Sequence, residues 1–162
     1  MRIRTMSGVD YSRCYHQGIR VANLDQAMTE LGSSLGVTWC EVQERTQQVW
    51  TPQDGEQTIP LRFTYSSEGP QHIELLEGAP GSIWDGRQNP GLHHVGVWSE
   101  DVAGQTQALV AAGWTLTMAQ APPDKGYGAF TYVQPPSGLI VELVWSALKP
   151  MFDRWFAGGP LG

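Results

Sequence analysis

The sequence predicts an α+β fold in which two tandem βαβββ modules form a curved sheet around a cavity. A His-x-Gly-aliphatic motif occurs twice, at residues 16–19 and 94–97. In both copies, a helix-like stretch and three runs of β-forming residues follow the motif. Because neither half can close a hydrophobic core alone, we expect one domain over residues 1–162.

The first module covers about residues 15–77 and begins with a strand at residues 15–21. Asn23 or Asp25 can cap the start of the following helix, which Gly36 ends. Runs of β-forming residues then predict strands at residues 37–50, 58–65 and 71–77.

The second module, at about residues 92–145, repeats this order and begins with a strand at residues 93–99. Ser99 or Asp101 can cap its helix, and Gly113 ends it. The strands that follow are predicted at residues 115–119, 128–133 and 139–145.

Two segments lie outside the modules. Residues 78–91 are rich in Gly and Pro, which predicts a linker. The tail, residues 146–162, carries apolar residues at helical spacing, which predicts a short amphipathic helix packed on the core or on a partner subunit. These apolar residues are Met151, Phe152, Trp155 and Phe156.

Composition and charge restrict the function classes. With 162 residues, of which 41% are hydrophobic and 16% charged, the chain can bury a core, which argues against disorder. A net charge of −6 with scattered basic residues argues against nucleic acid and anionic membranes as partners. Cys14 and Cys40 lack CxxC spacing, and residues 1–10 lack a signal-peptide core, so we expect a reduced, cytoplasmic protein.

Two histidines and two glutamates occupy equivalent positions on the first and last strands of the modules. In the repeat, His16 matches His94, and Glu74 matches Glu142. Strand alternation turns their aliphatic neighbours toward the helices and these polar side chains toward the concave face. A glutamate between aliphatic residues is costly there unless a positive group meets it.

A divalent metal ion would be such a positive group. Two neutral imidazoles and two carboxylates balance its charge, and their nitrogen and oxygen atoms suit Zn, Ni, Co, Mn or Fe. Open coordination positions can bind a carbonyl or enolate oxygen and stabilise the charge that develops when an adjacent C–H bond loses its proton. The sequence therefore predicts one divalent metal ion in the cavity.

These residues resemble the vicinal oxygen chelate superfamily of glyoxalases, bleomycin-resistance proteins and extradiol dioxygenases, over residues 15 to about 145. The resemblance implies paired βαβββ modules, and His16, Glu74, His94 and Glu142 as metal ligands, a set similar to that of bacterial-type glyoxalase I. The stretches most similar to the methylmalonyl-CoA epimerase branch are residues 73–77, 91–97 and 136–144.

The resemblance implies a metal-dependent isomerase or epimerase that moves a proton next to a carbonyl group. Epimerases of the family use a pair of glutamates. Glu142, if it binds the metal only loosely, is one candidate base, and Glu44 or Glu41 is the candidate for the other. The strand register decides whether Glu44 or Glu41 reaches the cavity.

Other functions remain open. A glyoxalase I would convert a glutathione hemithioacetal to a thioester, and Arg20 and Arg62 are candidates to hold the glutathione carboxylates. A non-catalytic protein would sequester a ligand, although retention of all four ligands argues against this. An extradiol dioxygenase is disfavoured because a fourth protein ligand would crowd the oxygen site.

Tryptophans and charge bear on the substrate. Trp39, Trp84 and Trp98 lie near the predicted cavity and would suit an apolar or cyclic compound, whereas Trp50 and Trp114 are expected to fill the core. Ten scattered basic residues argue against the phosphates of coenzyme A. The expected substrate is a small carbonyl compound, either apolar or an acyl thioester.

The two modules can pair within one chain or between chains. We expect a homodimer, because an unpaired module edge favours a partner. The sequence leaves open whether the ligands converge within one chain or across the dimer interface.

Overall fold

The first module folds into four strands and one helix. In this computed structural model, which describes residues 8–162, the Asn23 side chain caps the helix by accepting a hydrogen bond from the Gln26 amide at 2.9 Å. Gly36 ends the helix with a left-handed φ of 67°. The elements are β1 (Cys14–Arg20), α1 (Leu24–Leu35), β2 (Gln43–Thr51), β3 (Gly55–Tyr65) and β4 (His72–Gly78).

The second module repeats this order. Asp101 caps its helix by accepting a hydrogen bond from the Gly104 amide at 2.9 Å. Gly113, just after the helix, has a φ of 100°. The elements are β5 (Gly91–Ser99), α2 (Val102–Ala111), β6 (Thr115–Ala119), β7 (Phe130–Gln134) and β8 (Val141–Trp145).

The eight strands close into one barrel in the order β1-β4-β3-β2-β6-β7-β8-β5. Within the modules, β1 pairs with β4 and β5 pairs with β8, in both cases in parallel. The modules join along a long antiparallel pairing of β1 with β5, and through Trp50 and Ala119 where β2 meets β6. The α+β fold and its curved sheet are as the sequence predicts, and the barrel closes within a single chain.

Some strand limits differ from the prediction. The run predicted to start at residue 37 becomes β2 only at Gln43. Before that point the chain bonds to the loop after β3, with the Ser67 amide donating to the Thr38 carbonyl at 2.7 Å and a single bridge between Trp39 and Ser66. These bonds take up the backbone of the segment, so it cannot extend β2.

Two hydrophobic clusters hold the barrel. One lies between α2 and the sheet, and Val97, Leu109 and Leu143 are buried in it. The other is rich in aromatic side chains and fills the barrel interior. Cys14 and Cys40 are free and buried. Among residues 8–162, none of the helices has the length and apolarity needed to cross a bilayer.

The tail forms the amphipathic helix that its apolar spacing predicts, and the helix packs on the chain's own core. α3 (Lys149–Phe156) places Trp155 fully inside the barrel cluster, beside Phe63 and Tyr65. Phe152 and Phe156 pack on the same cluster. α3 thereby covers part of the aromatic cluster.

Candidate metal centre

Strand register brings the four predicted ligands together. On β1, His16 lies opposite Gly96 of β5, and Gly18 lies opposite His94. The parallel pairings then set Glu74 beside Gly18 and Glu142 beside Gly96. Each row across the sheet thus reads Glu, Gly, His, and the two rows run in opposite directions. The cluster consists of His16, Glu74, His94 and Glu142.

The glycine of each repeated motif makes room for the histidine of the other module. A Cβ atom at Gly96 would collide with the imidazole of His16, and one at Gly18 would collide with the imidazole of His94. Both glycines lie in strands and neither has a positive φ, so the requirement is for space rather than for backbone freedom. In each copy of the His-x-Gly motif, the glycine therefore makes room for the histidine of the other copy.

The ligand atoms converge on one point. The Nε2 atoms of His16 and His94 are 3.0 Å apart. Oε1 of Glu142 lies 3.0 Å from His16 Nε2 and 3.4 Å from His94 Nε2. Oε1 of Glu74 lies 3.1 Å from His94 Nε2 and 3.5 Å from His16 Nε2. All four atoms lie within 4.8 Å of one another.

This donor set fits a divalent metal ion. Ligand bonds of about 2.0–2.2 Å set neighbouring ligand atoms roughly 3.0–3.4 Å apart, close to the spacings seen here. Glu74 Oε1 is buried and has no hydrogen-bond partner of suitable geometry, although it lies near both imidazoles. A buried carboxylate oxygen without a hydrogen-bond donor is suited to bind a cation.

The surroundings are aromatic and buried. Both imidazoles are fully buried, and Tyr15, Tyr65 and Tyr132 pack against them. Burial, reinforced by the charges of Glu74 and Glu142, raises the pKa of each tyrosine well above its usual value. The phenols are therefore neutral, and the low polarity strengthens electrostatic interactions inside the cluster.

The imidazoles and carboxylates shift one another's ionisation. Burial acts to lower the pKa of His94, but the carboxylates of Glu142 and Glu74 outweigh it and raise the pKa to about 9. Burial acts to raise the pKa of Glu142, but His16 and His94 lower it. In the metal-free protein near neutral pH, a positive His94 therefore faces a negative Glu142.

His93 is a further member of the site that the sequence analysis passed over. It is buried, and its Nδ1 lies 2.8 Å from Nδ1 of His94. Burial lowers the pKa of His93 to about 3, so the ring is neutral. If His93 accepts the Nδ1–H of His94, then Nε2 of His94 is free to bind a metal ion. Two adjacent histidines in the sequence were the available signal.

The structure does not bring Glu44 or Glu41 to the cluster. Glu44 lies on the outer face of β2, 71% exposed, with an ion pair of 2.9 Å to Arg62. Glu41 is exposed and precedes β2. The register instead turns Arg45 and Gln47 toward the cavity. The geometry gives no support to Glu44 as a base, because strand alternation separates it from the ligands.

The candidate glutathione-binding arginines contact groups of the chain itself and lie away from the cavity. Arg20 donates to the Ile83 carbonyl at 3.1 Å. Arg62 contacts three carboxylates of the chain itself, namely those of Asp25, Glu44 and Glu77. Neither arginine lines the cavity beside the metal cluster.

The positions of the tryptophans relative to the cavity differ from the prediction. Of the three expected near the cavity, only Trp84 lines it, and its Nε1–H donates to the Tyr132 hydroxyl at 3.1 Å. Trp98 instead stacks on Tyr15, and the Trp39 indole donates to a helix carbonyl. Trp50 and Trp114 are half-buried, and Trp114 packs against the cluster under α2.

The cavity beside the cluster has a volume of about 130 Å³ and mostly apolar walls. Its charged lining residues are Arg45, Glu74 and Glu142. A wider groove of about 620 Å³ lies beside β2, β3 and the end of β4. Arg45 and Leu61 line both spaces, so the groove adjoins the cavity mouth.

The structure is a barrel of paired βαβββ modules in which two imidazoles and two carboxylates converge and could hold a metal ion. The chain belongs to the Glyoxalase/Bleomycin resistance protein/Dioxygenase superfamily, whose family model matches residues 15–132. The matched residues include three of the four cluster members, His16, Glu74 and His94. The resemblance stated from the sequence is thereby confirmed. No curated protein matches the chain significantly.

Solved structures share the fold. A variant of methylmalonyl-CoA epimerase from Streptomyces coelicolor, in complex with 2-nitronate-propionyl-CoA, is 20% identical over 83% of this chain and 94% of its own, with a TM-score of 0.57. The epimerase from Mycobacterium tuberculosis is 18% identical over 88% and 93%, with a TM-score of 0.55. A mutant 4-hydroxymandelate synthase from Streptomyces coelicolor is 11% identical over 82% and 48%, with a TM-score of 0.53.

Proposed function

We propose that this protein is a divalent-metal-dependent epimerase or isomerase that transfers a proton next to a carbonyl group. The observation that carries the proposal is the convergence of two imidazole nitrogens and two carboxylate oxygens in a buried cavity. Several neighbours in fold are methylmalonyl-CoA epimerases solved in complex with an acyl-CoA ligand. An acyl thioester is therefore the first substrate class to test.

His16 and His94 would hold the metal through Nε2, and Glu74 and Glu142 through Oε1. When bound, the ion would polarise the substrate carbonyl and stabilise the negative charge on its oxygen. His93 would keep the His94 ring oriented through the Nδ1 contact of 2.8 Å. Apolar walls, including Leu76, would exclude water from the reacting carbon.

The proton-transferring groups would be the two cavity carboxylates. In the metal-free protein Glu142 is ionised near neutral pH, because His16 and His94 lower its pKa, and a bound cation would keep it ionised, so it can accept a proton. With Glu44 on the outer face, Glu74 is the other carboxylate that lines the cavity. β4 and β8 flank the β1–β5 pair on opposite sides, so the two carboxylates enter from opposite sides. Inversion at a carbon requires proton removal and return on opposite faces.

Two measurements test the proposal. Metal analysis should find about one divalent ion per chain, and H94A should lose the ion while keeping the fold, since His94 is a ligand. In D₂O, the metal-loaded protein should then exchange the α-proton of a 2-methyl-branched acyl thioester, followed by NMR. E142Q should keep the fold and lose exchange. A protein that carries no divalent metal, and gains none on incubation, contradicts the proposal.

The same assay distinguishes the alternatives. Exchange with a glutathione hemithioacetal alone would indicate glyoxalase I chemistry. Tight binding of an apolar aromatic compound without exchange of either substrate class would indicate a sequestering protein.

Oligomeric state and cellular location stay predictions. The cluster is complete within one chain, so the site does not require a partner subunit. The expected homodimer is tested by light scattering of the purified protein.

A further inference from the structure

Arg45 introduces a positive charge into the cavity wall. It lies on β2, two residues before the inward-facing Gln47, and its guanidinium carbon is 5.2 Å from the centre of the Phe63 ring. Its side chain is exposed and lines both the small cavity and the wider groove. Arg45 therefore stands at the cavity mouth, held over an aromatic ring.

Most other cations of the described chain are paired with carboxylates. These are Arg13, Arg62, Arg87, Lys125 and Lys149. Within residues 8–162, Arg45 has no carboxylate at ion-pair distance, although the chain is acidic overall with a net charge of −6. Arg20 and Arg154 also have none, but Arg20 donates to the Ile83 carbonyl away from the cavity, and Arg154 lies on the exposed side of α3. The cation at the mouth thus remains available to an outside anion.

Cavity size limits what can lie next to the cluster. The cavity of about 130 Å³ is well below the roughly 300–1,000 Å³ of pockets that enclose a drug-sized ligand. Only a small reacting group fits inside, and the remainder of a substrate can extend past Arg45 and Leu61, which also line the groove of about 620 Å³. A substrate that extends outward brings its next polar group close to the guanidinium.

We propose that Arg45 is a specificity-determining residue that binds an anionic group, such as a carboxylate, of a substrate whose chelating oxygens lie in the cavity. This inference rests on the proposed metal-dependent function. A guanidinium binds a carboxylate through charge-assisted hydrogen bonds, and its position over Phe63 limits the entropy lost on binding. The proposed substrates are therefore carbonyl compounds that carry a second, acidic group, which lies at the cavity mouth when the carbonyl oxygen is at the metal.

The role of Arg45 is tested with metal-chelating probes that either carry or lack a terminal carboxylate. Alkyl hydroxamates with two to five methylene groups would be compared with their counterparts that end in a carboxylate, by calorimetry on the zinc-loaded protein. At the best chain length, the carboxylate form should bind about tenfold more tightly (~1.4 kcal/mol). High salt should reduce this preference, because the mouth is exposed to solvent.

Variants assign the preference to one side chain. R45Q should bind both hydroxamates equally while keeping its zinc, and R45K should retain part of the preference. R154Q is the matched control, because it removes an unpaired arginine outside the cavity and should leave the preference unchanged. An equal affinity of the wild-type protein for both forms, or an undiminished preference in R45Q, overturns the role of Arg45 and leaves the metal centre intact. Failure of both forms to bind the zinc-loaded protein overturns the proposed function as well.

Discussion

At the scale of single residues, the site depends on two glycines as much as on its ligands. Gly18 and Gly96 each leave the space that an imidazole of the opposite module occupies. Each imidazole is fully buried, and its present position depends on the space that the facing glycine leaves open.

Replacing either glycine with alanine should therefore remove metal binding. In G96A the added methyl group would displace the ring of His16, and in G18A the ring of His94. We expect metal stoichiometry to fall from about one to near zero, with the circular dichroism spectrum retained. The control is G32A, a helix position whose added methyl would lie 3.2 Å from the Trp39 indole nitrogen, far from the ligands. Full metal content in both strand variants would contradict the packing argument.

Ionisation of His94 makes metal binding depend on pH. Because its pKa is raised to about 9, the metal-free imidazole carries a proton near pH 7 and must lose it to bind. Glu142, whose pKa is lowered, is already ionised. Zinc binding at about pH 7 should thus release about one proton, measured by calorimetry in buffers of different ionisation enthalpy. Apparent affinity should rise as pH approaches about 9 and then level off. An affinity that is unchanged over that range would show that His94 is neutral in the free protein.

At the scale of elements, patterns that repeat were predictable and register was not. The sequence offers two candidate caps for each helix, and in the structure Asn23 and Asp101 cap them. The inward orientation of His16 followed from strand alternation. The same reasoning could not place Glu44. Because β2 is polar on both faces, its sequence does not show which face is turned inward, and a shift of one residue would exchange the two faces.

The tail helix α3 contributes stability by packing on the aromatic cluster of the barrel. Trp155 is fully buried between the rings of Phe63 and Phe152. W155A should lower the free energy of unfolding by about 3–5 kcal/mol, measured by denaturant titration. R154A, an exposed neighbour on the same helix, should change it by less than about 0.5 kcal/mol. A loss below about 1 kcal/mol in W155A would show that α3 is not docked in solution.

At the scale of the whole molecule, the sequence predicts the duplication of the module but not whether the two modules of one chain close into a barrel. The repeat indicates two modules, yet β1 of one module could pair with β5 of the same chain or of another. In the structure, β1 pairs with β5 and β2 pairs with β6 of the same chain. The cluster lies across the long β1–β5 junction. Its four side chains come from β1, β4, β5 and β8, so two strands of each module meet there.

Because a bound ion would link both modules, it should stabilise the barrel as a unit. A ligand that binds only the folded state at about 100 times its dissociation constant adds ~2.7 kcal/mol to the free energy of unfolding. For a domain of 162 residues, this corresponds to a rise of roughly 5–10 °C in the melting temperature. Zinc should produce this shift in the chelator-treated wild type and fail to do so in H94A, both measured by calorimetric scans. An equal shift in the two proteins would place the stabilising ion elsewhere than between His16, Glu74, His94 and Glu142.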